Sequence, residues 1–350
     1  MPTAFTLDAD HGVHTAPGHR ESPLRLDTTA ALLRADGILD RLRRFALPEA
    51  DRAALERVHT AAYLDGLDEA TARLAAAGPD ALQWLDEDTY LLGGSYGVAK
   101  RSVGGLLGLV DAVVTGEAPN AMAVCRPPGH HARPGAAMGF CLLANAAVAA
   151  RHAQRVHGLE RVLVVDFDVH HGNGTEEVFF EDPSVLALSS HHFPLWPGTG
   201  ALDVVGAGAG EGYTVNLPLP IGAGGDAVVA LYRRVLPALA RRFRPDLVLV
   251  AAGYDAHYLD PIGGLALGVS HFAALVRLCL EVADREADGR IVFSLEGGYN
   301  PDALAHGVLT TLRLLEDPTA APSDPFDPPP DGVRDLSALT DAVLARHGLD

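Results

Sequence analysis

Arg161-Val162-Leu163-Val164-Val165-Asp166-Phe167-Asp168-Val169-His170-His171-Gly172-Asn173-Gly174 runs from a β-branched apolar strand directly into carboxylates and imidazoles. A short apolar run of this kind reads as a strand buried on both faces, which implies a parallel sheet covered by helices. Side chains alternate along a strand, so if the chain stays extended, Asp166, Asp168 and His170 share one face. Carboxylate oxygen and imidazole nitrogen both ligate a borderline divalent ion such as zinc. Two carboxylates at a buried strand end are costly unless paired or metal-bound. The plainer alternative is that these residues cap the next helix.

Three further segments share this character. Ala123-Val124-Cys125-Arg126-Pro127-Pro128-Gly129-His130-His131 places two adjacent imidazoles after a Pro-Pro-Gly turn. Paired histidines suit acid–base work near neutral pH. Pro245 to His257 is a strand ending in Gly253-Tyr254-Asp255, and Ile291 to Asn300 is a strand followed by Glu296-Gly297-Gly298-Tyr299. Catalytic groups in open α/β sheets collect at the carboxyl ends of strands.

Composition narrows the class. The chain has 350 residues, 48% of them hydrophobic, enough for one large α/β domain or two ordinary ones. No apolar run reaches the ~18–20 residues of a membrane span, and the N-terminus lacks the regions of a signal peptide. The three cysteines, Cys125, Cys141 and Cys279, read as reduced thiols, and a cytoplasmic location is expected. A formal net charge of −18 argues against nucleic acid as a partner and tolerates cationic substrates. Gly206-Ala207-Gly208-Ala209-Gly210 resembles a dinucleotide fingerprint only superficially, since it does not open a helix after a strand.

Strands are predicted near 3–8, 121–125, 161–167, 184–190, 213–217, 246–252 and 290–295, and helices near 27–36, 50–58, 95–115, 142–156, 225–242, 271–286 and 301–315. The alternation indicates a mainly parallel sheet with helices on both faces. Residues 317–331 form a Pro-rich linker. Beyond it Val333, Leu336, Leu339, Val343 and Leu344 have helical spacing, so residues 332–350 are expected to form a helix packed on their own chain or on a sister subunit.

Taken together, Arg126-Pro127-Pro128-Gly129-His130-His131, Asp166 to Gly174, Pro197-Gly198-Thr199-Gly200, Ala252 to His257 and Glu296-Gly297-Gly298-Tyr299 resemble the histone deacetylase superfamily, which includes bacterial class II-like amidohydrolases and acetylpolyamine amidohydrolases. The resemblance runs from about residue 10 to about residue 315. It implies a single arginase/deacetylase-like α/β domain, residues 1–316, that hydrolyses an N-acyl amide with zinc. Iron(II) is compatible with the same ligands.

The resemblance implies Asp168, His170 and Asp255 as metal ligands. His131 would be the general base, assisted by His130, with Asp166 orienting His130 and Asn173 contacting His131. An amide at Asn173 leaves His131 less basic than a carboxylate would. Tyr299 would donate its hydroxyl to the developing oxyanion. Phe140 and Trp196 resemble the walls of a narrow acyl-lysine channel, where aromatic faces bury methylenes. Potassium is implied beside Asp166, Asp168, His170, Ser189 and Ser190, and at a second position formed by Phe179, Asp182, Val185 and Tyr213. His171 and His257 are read as supporting residues, while His191 and His192 line the mouth or lie on the surface. His11, His14 and His19 belong to an entrance loop that departs from the family at Arg20, where proline is usual.

The implied substrate is an acylated lysine in a peptide or protein, or an acetylated polyamine. Some polyamine-selective members carry a carboxylate seven residues after the metal Asp; here Ile262 stands there, which favours acyl-lysine. A binuclear manganese hydrolase of the arginase type would need further carboxylates, and Asn173 removes one. A catalytically silent binding protein would gain nothing from the complete constellation. A homo-oligomer is compatible with the sequence.

Overall fold

The computed structural model describes residues 1–322, 324–326 and 332–349. In chain order the elements are β1 (Ala4–Leu7), α1 (Leu24–Asp36), β2 (Arg43–Arg44), α2 (Arg52–Leu55), α3 (Ala61–Ala77), β3 (Leu82–Trp84), β4 (Tyr90–Leu92), α4 (Ser95–Val114), β5 (Ala121–Val124), α5 (Asn145–His157), β6 (Val162–Asp166), α6 (Asn173–Phe179), β7 (Val185–His192), β8 (Thr214–Leu219), α7 (Gly225–Phe243), β9 (Leu247–Ala252), α8 (Val269–Glu286), β10 (Ile291–Leu295), α9 (Pro301–Glu316) and α10 (Ser337–Arg346). Eight strands form one parallel sheet in the order β2-β1-β5-β10-β9-β6-β7-β8, and β3 and β4 make a separate antiparallel hairpin.

The central strands are mostly apolar because both faces of the sheet are covered, with polar residues gathered toward the carboxyl ends of β6 and β7. Leu163, Val165, Val248 and Val250 pack with the helices α1, α7, α8 and α9. Their neighbours Val162, Val164, Leu247 and Leu249 pack with α3, α4 and α5. The alternation of a strand therefore feeds two cores, one on each side of the sheet.

Strand order explains where a site can form. β6 and β9 are neighbours, with Asp166 opposite Ala251. The chain leaves β6 toward β7 on one side and leaves β9 toward β10 on the other. Divergent connections open a crevice beyond the carboxyl ends of such a pair.

The expected strands and most helices are present, but several elements depart from the sequence reading. The helix expected near 50–58 is the single turn α2, whose N-cap Asp51 accepts a hydrogen bond from Ala54 N. The long helix follows it as α3, started by Thr60 and buried along Leu64, Leu67, Ala70 and Leu74. The short α6, the two-residue β2 and the β3–β4 hairpin also lie outside the expected elements. Part of the expected linker, residues 323 and 327–331, lies outside the described residues, as does residue 350. Val333 is not helical: it pairs with Ala223 as an isolated bridge, and α10 starts at Ser337 and packs on α7 and β8.

Candidate metal centre and active site

β6 ends at Asp166, so the extended geometry expected through His170 does not occur. The chain turns instead, and its own carboxylates hold the turn. Asp168 N donates to Asp166 Oδ1 at 3.0 Å, and His170 N donates to Asp168 Oδ1 at 2.9 Å. This winding aims His170 Nδ1 at the carboxylates, 3.2 Å from Asp168 Oδ1 and 3.3 Å from Asp255 Oδ2. Asp255, just past β9, is oriented by Val169 N, which donates to its Oδ1 at 2.8 Å.

Asp168, His170 and Asp255 are all buried, and their ligand atoms lie within 4.8 Å of one another. Burial, then the charge of Asp168, pushes the Asp255 carboxyl up to about 7. Its Oδ2 makes no hydrogen bond. Two buried carboxylates this close are costly unless a proton or a cation lies between them, and the unsatisfied oxygen fits a cation. The oxygen–nitrogen–oxygen donor set fits zinc and leaves positions for water and substrate. Backbone approach completes the cradle: a Cβ on Gly297 would fall 2.1 Å from Asp255 Oδ2 and 2.5 Å from Asp168 Oδ2. Only glycine fits there, and its N–H donates to Asp168 Oδ2 at 2.8 Å.

The two imidazoles of the Pro-Pro-Gly turn stack obliquely, 3.9 Å between ring centres. His130 Nδ1 lies 2.9 Å from Asp166 Oδ2. Burial opposes its protonation, but Asp168 and Asp166 outweigh burial and hold it well above the ordinary imidazole range. His131 behaves oppositely. Burial, then neighbouring His130 and His170, hold it well below that range. Its Nδ1 lies 2.7 Å from Asn173 Oδ1, an acceptor, so Nδ1 carries the proton and Nε2 keeps its lone pair. The surroundings thus favour the charged form of His130 and the neutral form of His131.

A cavity of about 460 Å³ opens over these groups, lined by His131, His170, Phe140, Trp196, Ile262 and Tyr299. Phe140 meets Tyr299 edge-on at 5.5 Å and Trp196 meets His131 edge-on at 4.7 Å. Phe140 holds a left-handed backbone (φ 69°), costly for a bulky residue, and its N–H donates to Thr89 Oγ1. Burial raises the Tyr299 phenol well above its ordinary value, so the hydroxyl stays a donor.

Several residues that build the site carried no signal of that role in the sequence. Glu296 Oε2 accepts from Gly129 N at 2.6 Å and His130 N at 3.1 Å, tying the end of β10 to the histidine turn. Arg25 donates to Gly298 O at 2.7 Å and Glu296 O at 2.5 Å, and lies 4.9 Å over the Tyr299 ring. Asp260 Oδ2 accepts from Tyr299 N at 2.6 Å. Glu21 sits buried between Arg25 and Arg126. At the mouth, Asp88 lines the cavity beside His19 and Arg20. Glu21 lies just ahead of α1 and Arg25 in its first turn, four residues apart, a spacing that lets the two side chains meet.

His191 and His192 are neither at the mouth nor on the surface. They are buried at the end of β7, where His191 bonds Gly200 O and His192 bonds Gly263 O. β7 faces the crowded core there, which sequence periodicity does not reveal. His171 Nδ1 meets Thr199 Oγ1 at 2.8 Å, His14 stacks on Tyr90, and His257 is buried. Of the groups read as potassium ligands, Asp166 pairs in register with Ser189, while Ser190 Oγ accepts from Tyr232. The Asp182 carboxylate is taken by Ser184 and Arg151, and the Phe179 and Tyr213 carbonyls accept backbone bonds from Asp182 and Ala187. Val185 opens β7.

The model of the histone deacetylase domain matches residues 19–315. The chain belongs to the histone deacetylase family. Among family members, the histone deacetylase-like amidohydrolase of Pseudomonas aeruginosa is 40% identical over 93% of this chain and 84% of its own length. Histone deacetylase 10, chloroplastic, of rice is 45% identical over 78% of this chain and 62% of its own. The human polyamine deacetylase HDAC10 is 41% identical over 88% of this chain, which spans under half of that relative, 46%. Among solved family structures, the HDA15 HD domain superposes with a TM-score of 0.86 at 33% identity, covering 99% of this chain and 96% of that one. Membership bears out the expected fold and the expected class, that of amide-hydrolysing deacetylases.

Proposed function

We propose that this chain is a zinc-dependent deacetylase that removes acetyl or other short acyl groups from the amine end of a methylene chain. One observation carries the reading: a neutral imidazole (His131), a metal-ligand imidazole (His170) and a phenol (Tyr299) line the same narrow cavity, walled by Phe140 and Trp196. Asp168, His170 and Asp255 would hold the metal, for which iron(II) is the alternative. When bound, the ion supplies Lewis acidity toward the acyl carbonyl and makes water acidic near neutral pH.

The chain's own residues account for the rest. His131 Nε2 takes the proton from the attacking water and returns it to the leaving amine, because Asn173 holds the tautomer that frees that nitrogen. His130, held as imidazolium by Asp166, adds positive charge next to the developing oxyanion without giving up its proton. The Tyr299 hydroxyl donates to that oxyanion, a contribution worth about 3 kcal/mol. Phe140 and Trp196 bury the methylenes and exclude water. Potassium near Asp166 and Ser189 would further neutralise the carboxylates beneath the metal.

Acyl-lysine in a peptide or protein is the favoured substrate, since Ile262 at the cavity wall offers no counter-charge to a distant ammonium. Asp88 supports a second reading, an acetylpolyamine. It places a carboxyl at the mouth, though burial, then Asp86, pushes that carboxyl up to about 6 and weakens it as a counter-ion. Amine release by the zinc-loaded chain from an acetyl-lysine peptide and from N-acetylputrescine, with Asp255→Ala as the blank, tests both. A higher kcat/KM on the peptide supports the first reading, a higher value on the amine supports the second, and turnover of neither overturns the proposal.

A further inference from the structure

A second group of ligating side chains lies outside the active site. Asp111, in the last turns of α4, receives both His152 and His157 of α5: their Nε2 atoms stand 2.6 Å and 2.7 Å from the same Asp111 Oδ1. All three ligand atoms lie within 4.8 Å of one another. The two rings are 5.8 Å apart, His152 is buried, and Asp111 and His157 are half-buried. α5 begins at Asn145 beside the histidine turn, so His157 lies twelve residues down the helix, about 18 Å away at 1.5 Å per residue. The group therefore sits toward the amino ends of the strands, away from the catalytic crevice at their carboxyl ends, and serves no step there.

We propose that Asp111, His152 and His157 form a second, non-catalytic site for a borderline divalent cation such as Zn2+, clamping α4 to α5. Two imidazoles and one carboxylate are a donor set that suits zinc and leaves a position for water. Both helices present their carbonyl ends here, since His157 is the last residue of α5 and Asp111 precedes the α4 C-cap Thr115 by one turn. The negative ends of two helix dipoles favour a cation at this point.

One further contact sets the strength of the site. Arg57 Nη1 lies 3.1 Å from His152 Nδ1. A guanidinium has no lone pair, so without a metal Nδ1 accepts and Nε2–H donates to Asp111. Metal at Nε2 moves that proton to Nδ1, which faces Arg57 donor to donor. Arg57, half-buried after α2, must swing aside for the ion to bind. It acts as a latch that weakens the site.

The test is metal content after dialysis against buffered Zn2+, on the full chain. The wild type should hold one more equivalent than His152→Ala/His157→Ala, whose turnover on an acylated amine should be unchanged. Added Zn2+ should raise the Tm of Asp255→Ala but not of Asp255→Ala/His152→Ala/His157→Ala, and Arg57→Ala should bind the extra equivalent more tightly than wild type. Equal zinc content in wild type and the double-histidine variant would show that the cluster is only a hydrogen-bonded bridge and would overturn the site. The difference between those two chains does not depend on the catalytic centre, so failure of the deacetylase reading leaves this result interpretable.

Discussion

Asn173 Oδ1 lies 2.7 Å from His131 Nδ1, and this single amide decides which nitrogen of the catalytic imidazole is free. An amide oxygen accepts the Nδ1 proton without adding charge. Burial, His130 and His170 then keep the ring a neutral base. In Asn173→Asp a carboxylate would stabilise the imidazolium and raise the His131 pKa. The base form would then appear only at higher pH. The acid limb of the kcat/KM profile is expected to move upward in pH, with zinc content unchanged. An unmoved limb would assign the proton transfer to another group.

Tyr299 supplies a hydroxyl, while its ring is held by Phe140 and Arg25 independently of that hydroxyl. Tyr299→Phe should therefore fold, keep its metal and keep its KM. Its kcat should fall about 10²–10³-fold, the loss of one oxyanion donor. Steady-state kinetics on an acetyl-lysine peptide measures this, and a drop confined to KM would mean the phenol only binds substrate.

Gly297 has no room for a side chain between Asp168 and Asp255. Gly297→Ala would push the two carboxylates apart and displace the backbone N–H that fixes Asp168. Zinc occupancy at limiting free metal should fall along with turnover. Full occupancy with full activity would mean that the loop relaxes and that the close approach is not required.

Glu21 stands between two buried guanidiniums, those of Arg126 at 2.5 Å and Arg25 at 3.0 Å. Burial disfavours its charge, but Arg126 outweighs burial and holds the carboxyl well below its ordinary value. Its folded value thus lies below its unfolded one. The stabilisation is present above the unfolded carboxylate range and is lost as pH falls through the folded value. Glu21→Gln leaves both arginines without their counter-charge and should cost about 3–5 kcal/mol. Urea unfolding at pH 7 and at acid pH checks both points: the difference between wild type and variant should shrink in acid. Since Arg25 also carries the Tyr299 loop, kcat should fall with stability.

Much of this site is legible in the amino-acid sequence. Asp168, His170, Asp255, His130, His131 and Tyr299 stand out because charged and ionisable groups rarely follow buried strands without a reason. Helix α3 carries an apolar stripe in Leu64, Leu67 and Leu74, which lies beyond the helix expected near residues 50–58. The supporting roles of Glu296, Asp260 and Arg25 could not be read. Each depends on a backbone group far away in the chain, and an isolated Glu, Asp or Arg looks the same whether it is solvated or holds a loop.

The sequence by itself determined the layers and the chemistry. Apolar strands alternating with helices leave few solutions other than a covered parallel sheet, and donor residues just past β6 and β9 must meet wherever those strands are neighbours. Only the tertiary structure decided that the chain turns at Asp166, bringing Asp168 and His170 onto one point instead of one strand face. It also decided that His130 meets a carboxylate while His131 meets an amide, and that His191 and His192 are buried. The physical reason is the same in each case. Residue type fixes what a group can donate, accept or ligate, but its direction, charge and solvation come from partners that only folding brings within 3 Å or so.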